Sequence, residues 1–271
     1  MTKFDKIYKS ILKKILTEGK EELNKRTGQQ VKALPGICFN IDLEKDGFPL
    51  LSLRKLNCSF IPEIMWMLNG SNRSEWLTKH TKIWDLFIEK NGIITSAYGF
   101  RWKYHFKVDQ IKTVISKLSK NKSDRHCVVL MWSPLEDLLI KQKNVPCPFT
   151  FTLNIIEDKL NLHLIIRSND MILGNPTDVA GFAFLQHIIA QKLSVKVGVL
   201  TVSISNAHIY GNHYEIATEL IKRNSKTKLV TIKLPGNTLK KAQKLDSKLI
   251  KGILIENYLP NKPIKNIIIS K

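Results

Sequence analysis

Over residues 4–16, FDKIYKSILKKIL, apolar positions recur at helical spacing, with Phe4, Ile7, Ile11, Leu12, Ile15 and Leu16 on one face and lysines on the other. The pattern suits an anchor on a membrane surface, but a helix docked on its own core is the commoner use and is the expectation here. A second helical run, SFIPEIMWMLNG at 59–70, ends at Gly70, a residue fit for a C-terminal cap. The middle of the chain changes period. CVVLMW at 127–132 is a near-continuous apolar run, FTFTLNII at 149–156 alternates, and NLHLIIRS at 161–168 follows it across EDK at 157–159, which predicts a hairpin. Beyond it the pattern predicts a helix over 179–193, a strand over 197–205, a helix over 213–223 and extended pieces at 228–234 and 264–270. Strands and helices are mixed without the regular alternation of a doubly wound sheet. The expected class is α+β, with one domain over 1–271 and helices packed around a mixed central β-sheet.

Composition narrows this picture. A chain of 271 residues with 43% apolar content can bury a substantial core. No stretch approaches the ~18 consecutive apolar residues of a membrane span, and the N-terminus lacks the apolar core of a secretory signal, so a soluble cytoplasmic protein is expected. Cys38, Cys58, Cys127 and Cys147 are far apart, with no C-x-x-C pair and no histidine at ligand spacing, which argues against a metal site and for four reduced thiols. Lys and Arg outnumber Asp and Glu by 43 to 23, a net +20, which favours phosphate-bearing partners. The lysines are scattered, however, and lack the aromatic interleaving of a single-strand binding face, so no nucleic acid is required.

Several residues carry candidate chemistry on local grounds. Cys147 lies between Pro146 and Pro148, which fix an extended backbone just before a strand. It is either an inert thiol or a nucleophile, the latter if a cation such as Arg167 at the end of the neighbouring hairpin strand lowers its pKa. Arg167 and Ser168 make a natural phosphate grip or a surface ion pair. Glu63 is one acid in an apolar helical stretch, IPEIMWML, and there an acid is partnered or carries a proton. His208 and Tyr210 share a face if the strand from 197 runs that far, as a core pair or as contacts to a sugar. Thr177 or Asp178 can cap the helix that follows RSNDMILGNP.

Taken in order, RTG at 26–28, DGFPLLSLRK at 46–55, EIMWMLNGSN at 63–72, IWDLF at 83–87, YGFRW at 98–102, SDRH at 123–126, PC at 146–147, RSNDMILGNP at 167–176, HIYGNH at 208–213 and ENYLPNKPIK at 256–265 resemble the thymidylate synthase family, which includes the deoxycytidylate and cytidylate hydroxymethylases. The resemblance covers nearly the whole chain. It implies that Cys147 adds to C6 of a pyrimidine nucleoside monophosphate and that C5 then attacks the methylene of 5,10-methylenetetrahydrofolate. It further implies phosphate contacts from Arg26, Arg167 and Ser168, with Arg125 reaching the phosphate of the other subunit in a homodimer. Glu63 and Tyr98 match the proton-transfer network, His208 and Tyr210 the sugar contacts, and Trp84, Asp170 and Gly174 the folate side.

Three positions depart from the family pattern. His126 stands where a second trans arginine is usual, and Pro148 where many members carry a histidine. Asp178 stands where synthases acting on deoxyuridylate carry an asparagine that donates to O4 and accepts from N3–H. An ionised aspartate can only accept, which suits the exocyclic amine of cytosine and opposes uracil O4. The expected activity is therefore hydroxymethylation of dCMP, or of CMP. The alternatives are a thymidylate synthase converting dUMP to dTMP and a basic nucleic-acid-binding protein on an inactive synthase scaffold.

Overall fold

The first helix forms where its periodicity places it. In the computed structural model, which describes residues 1–25, 27–139, 145–265 and 267–268, α1 spans Lys3–Glu18 and buries Phe4, Tyr8, Ile11, Leu12 and Ile15. Thr2 and Asp5 form a reciprocal capping box at its start. The buried Asp5 carboxylate also accepts from the Ser52 N–H at 2.9 Å and the Ser52 hydroxyl at 2.6 Å, which ties α1 to the segment leading into the next helix.

After α1 come β1 (Lys20–Asn24) and β2 (Gln29–Asp42), neither of them anticipated from the pattern. Pro35 and Gly36 interrupt β2 in sequence, yet its register against the central strand continues on either side of them. Next, α2 (Phe60–Asn69) closes on Gly70 in the left-handed region, φ 84°, as a terminal glycine permits. A single turn, α3 (Tyr98–Phe100), runs on into a π-helical turn at Arg101–His105, followed by α4 (Gln110–Lys120). The close approach of α3 to α2 depends on Gly99. A Cβ there would lie 2.1 Å from the Met67 carbonyl oxygen, so only glycine fits.

β3 (Val128–Leu130), β4 (Pro148–Ile156) and β5 (Lys159–Ile166) form a meander, and the β4–β5 hairpin turns through Glu157 and Asp158, both at positive φ. Such a two-residue turn matches the twist of the strands it joins. A short β6 (Asn169–Asp170) leads into α5 (Gly174–Leu193), then β7 (Lys196–Tyr210) and α6 (Tyr214–Lys222). The chain closes with β8 (Thr231–Lys233), α7 (Thr238–Gln243), α8 (Ser247–Gly252) and β9 (Leu254–Glu256), where β8 and β9 pair as a separate two-stranded sheet. The described part of the stretch 264–270 joins no strand.

The main sheet has the order β1-β2-β7-β5-β4-β3, with β6 paired parallel to the end of β7. β7 is antiparallel to β2 and parallel to β5, so the sheet is mixed and the fold is α+β, as expected. Leu160, Leu162, Leu164 and Ile166 of β5 and Leu200, Val202 and Ile204 of β7 are buried in the core. α5 buries residues on nearly every side, as a helix in the interior must. No described helix is long and apolar enough to cross a membrane.

Candidate active site

Cys147 is placed by its backbone. Its carbonyl accepts from the Arg167 N–H at 2.9 Å, and its own N–H donates to the Tyr98 hydroxyl at 3.4 Å. The register of β4 shifts between Pro148 and Thr150, an irregularity of the kind that re-aims a side chain at a strand end. Arg167 secures the approach to the cysteine. Its Nε donates to the Pro146 carbonyl at 2.8 Å and its Nη2 to that of Val145 at 3.0 Å, while the guanidinium lies 5.6 Å over the Trp132 ring. A planar fork that grips two carbonyls is a use only arginine serves.

Glu63 projects from α2 and is 8% exposed. Its Oε1 is buried and accepts no hydrogen bond from any described residue. Burial lifts the carboxyl to about 8, the neighbouring Asp178 charge adds to the rise, and Ser59 and Trp84 pull the other way. Tyr98 begins α3, and burial, with the charges of Cys147 and Asp178, holds its phenol well above the usual range. The Trp84 ring packs edge-on against Tyr98 at 5.4 Å. Two proton-holding groups thus flank the thiol in a setting where neither ionises readily.

The helix that follows RSNDMILGNP begins five residues before the predicted position 179, at Gly174, with Leu173 as its cap residue and no side-chain cap bond. Neither Thr177 nor Asp178 caps it. Asp178 lies in the second turn and turns its carboxyl back to β6, where Oδ2 accepts from Asn169 Nδ2 at 2.8 Å. Asn169 Oδ1 in turn accepts from Asn175 Nδ2 at 2.7 Å. Asp178 is half-buried in the structure, and burial raises its carboxyl to about 7, against the lowering effect of Asn169. Asp170 Oδ1 accepts from the N–H groups of Ile172 and Leu173, which fixes the turn into α5.

Glu63, Trp84, Tyr98, Cys147, Ser168, Asp170, Gly174 and Asp178 line one cavity of about 180 Å³. Arg167 stands behind Cys147 rather than in the lining. His208 and Tyr210 both lie on β7, which does run on to them, with their rings edge to face at 5.1 Å. His208 is the register partner of Asp170, and its carbonyl accepts from Met171 N–H at 2.9 Å, so the pair borders the β6 wall of the cavity. Arg125 and His126 are exposed just before β3, away from the lining, and His126 Nδ1 is 3.4 Å from Asp124. Arg26 lies outside the described residues. Sequence reasoning did not single out Asn169 and Asn175, which form the hydrogen-bonded chain to Asp178. Two amides in a stretch that looks like a turn carry no signal that both will be buried.

Met67, Ile83, Trp84, Phe87 and Phe182 give the cavity an apolar and aromatic lining, which Asp170 shares. A flat heteroaromatic ring carrying N–H donors, such as the pterin of a folate, fits a stacking wall beside an acceptor.

The raised Glu63 has a consequence for stability. Its folded pKa lies above its unfolded value, so the native state binds more protons between roughly pH 4.5 and 8, and stability falls as pH rises through that window. Glu63→Gln is expected to be inactive yet more stable than the parent above pH 8, by on the order of 3 kcal/mol, with the difference closing toward pH 5. Denaturant melts of both proteins at pH 5 and 9 check this; an equal difference at the two pH values contradicts it.

The thymidylate synthase family profile matches residues 6–270. The thymidylate synthases of Buchnera aphidicola subsp. Schizaphis graminum (strain Sg) and of Buchnera aphidicola subsp. Acyrthosiphon pisum (strains APS and Tuc7) are each 32% identical to the chain over 268 residues, covering 96% of it and 98% of their own length. Members of the family act on a pyrimidine nucleoside monophosphate, take their one-carbon unit from 5,10-methylenetetrahydrofolate and are typically dimeric. With a matched profile over nearly its full length and a cysteine, an acid, a phenol and an aromatic wall around one cavity, the chain belongs to the thymidylate synthase family.

Proposed function

We propose that this chain transfers a one-carbon unit to C5 of a cytidine-type nucleoside 5′-monophosphate, dCMP ahead of CMP, with water completing a hydroxymethyl product. The observation that carries the reading is the carboxyl of Asp178 in the cavity lining, where uracil recognition calls for an amide. Cytosine presents an amine at C4 and an unprotonated N3. One carboxyl can accept from the amine and share a proton with N3, whereas uracil O4 meets an oxygen of like polarity wherever the carboxyl is ionised or carries its proton on the N3 side. Leaving one such group unpaired costs roughly 1–3 kcal/mol, about tenfold to over a hundredfold in substrate choice.

The residues then act as follows. The Cys147 thiolate forms a bond to C6, and the electron pair of the C5–C6 double bond moves to C5, which becomes the nucleophile. Bound 5,10-methylenetetrahydrofolate supplies the electrophilic methylene that C5 attacks. Loss of the C5 proton toward the Tyr98 and Glu63 side of the cavity would break the carbon–nitrogen bond to tetrahydrofolate and leave an exocyclic methylene on C5; water would add to that carbon, and the sulfur would leave C6 as the ring double bond re-forms. Glu63, uncharged below about pH 8, is suited to donate and retrieve protons at the ring. Trp84 and Phe87 would hold the folate ring, with Asp170 and Gly174 beside it. Arg26, Arg167 and Ser168 take the phosphate, His208 and Tyr210 the sugar hydroxyl.

Arg125 reaches the phosphate of the other subunit in this reading, which accords with its exposure away from its own cavity. Mixing inactive Cys147→Ser protomers with weakened Arg125→Ala protomers is then expected to restore turnover, because the mixed dimer holds one site with both groups. Activity no greater than the sum of the separate variants speaks against the trans contact.

A second reading, conversion of dUMP to dTMP, is favoured by the similarity to the thymidylate synthases of Buchnera aphidicola. Incubation with methylenetetrahydrofolate and, separately, dCMP, CMP and dUMP, with products identified by mass and dihydrofolate followed by absorbance, separates the two. Hydroxymethyl-dCMP without dihydrofolate supports the first; dTMP with dihydrofolate sinks it.

A further inference from the structure

Resting on the cytosine reading above, we propose that Asn169, held in place by Asn175, is a specificity-determining positioning residue that makes Oδ2 of Asp178 the accepting oxygen and leaves the shareable proton on Oδ1 for the ring nitrogen of the base.

An aspartate by itself does not distinguish the two pyrimidines fully. A neutral carboxyl offers one donor and one acceptor, and either oxygen can carry the proton. Cytosine needs an acceptor opposite C4 and a donor opposite N3, and uracil needs the reverse order. Something other than Asp178 must therefore set the order.

Asn169 supplies that asymmetry. Its Nδ2 donates to Asp178 Oδ2 at 2.8 Å, and an oxygen that already receives an N–H is the poorer place for a proton. The amide is braced in this orientation by its Oδ1, which accepts from Asn175 Nδ2 at 2.7 Å. Reversal would set oxygen against carboxylate at one end and N–H against N–H at the other. Both asparagines are buried, at 2% and 0% exposure, so water does not scramble the chain of bonds. Its direction leaves the buried Asn175 Oδ1 with no partner among the described residues.

Among the described residues, Asp170 on β6 acts on the Asp178 carboxyl, that carboxyl acts on Glu63 of α2 and Tyr98 of α3, and Cys147 and Arg167 act on Tyr98. Those acting on every substrate alike cancel in a ratio of substrates, which isolates Asp178. Burial raises its carboxyl and the Asn169 amide lowers it, so removing the amide moves it further up.

The test measures kcat/KM for dCMP and for dUMP, with methylenetetrahydrofolate, across about pH 5.5 to 9 in the parent and in Asn169→Leu, an apolar change of similar volume. In the parent the dCMP:dUMP ratio is expected to exceed one and to fall as pH rises through about 7. In Asn169→Leu the low-pH plateau of the ratio is expected to drop about tenfold, with its midpoint displaced to higher pH. Should that variant fail to fold, Asn175→Leu, which keeps the donor but frees its orientation, is expected to move the plateau the same way by less. A parent that prefers dUMP at every pH overturns the cytosine reading and this inference with it. A parent that prefers dCMP, with the ratio and midpoint unchanged in the folded variant, overturns the inference alone, even if both kcat/KM values fall together.

Discussion

Cys147→Ser is expected to lower kcat by more than about 10³-fold while nucleotide binding stays measurable. The hydroxyl is close to the thiol in size, and the backbone that places it is held independently of the sulfur. The flanking prolines, the Arg167 grip on Pro146 and Val145 and the contact from Cys147 N–H to the Tyr98 hydroxyl all survive the change. What is lost is nucleophilicity, since an alcohol is far less acidic than a thiol, which ionises within reach of neutral pH. Product mass spectrometry under saturating substrate measures kcat, and calorimetry with the nucleotide alone measures Kd. Full activity in the variant would remove the covalent mechanism, and joint loss of binding and turnover would recast Cys147 as a structural residue.

The second large effect is on substrate choice. Asp178→Asn is expected to move preference toward dUMP by roughly tenfold to over a hundredfold, because the amide donates to O4 and accepts from N3–H where the carboxyl met the cytosine amine. It also removes the titrating group. Burial places the Asp178 carboxyl at about 7, so in the parent dCMP turnover loses its shared proton as pH rises through that value. In the variant that decline disappears from the dCMP:dUMP ratio. Competition between the two nucleotides at several pH values, read by mass, reports both quantities. An unchanged ranking would sink the account of base selection while leaving the fold assignment untouched.

Much of the architecture was legible because burial imposes a period. α1, α2, the β4–β5 hairpin and β7 each bury one face or end on a recognisable residue, and each is found where the pattern puts it, with β7 running on to Tyr210. β2 was hidden because Pro35 and Gly36 break its alternation, although the ladder to β7 resumes beyond them. The start of α5 was misjudged for a related reason. Gly174, Asn175 and Pro176 have the composition of a turn, yet proline fits the first turn of a helix, where its missing N–H has no partner to lose. That shift turned Asp178 from a supposed cap into a side chain within the helix, directed at β6. Local reasoning on Cys147, Arg167 and Glu63 left each undecided between a structural and a chemical role. Most of the remaining site residues came from the family resemblance, since no periodicity marks a tryptophan or a tyrosine as lining a cavity.

Gly99 bears on how the reactive groups hold their relative positions. The acid of α2 and the phenol of α3 are kept at their distance by main chain lying on main chain at Met67, at a spot with no side chain at all. Proton traffic across the cavity is thereby gauged by a spacer of zero thickness. A survey of the protein scored on charge or reactivity would pass over this position, although one added methyl would wedge the two helices apart and detune the chemistry without altering any atom that handles a proton.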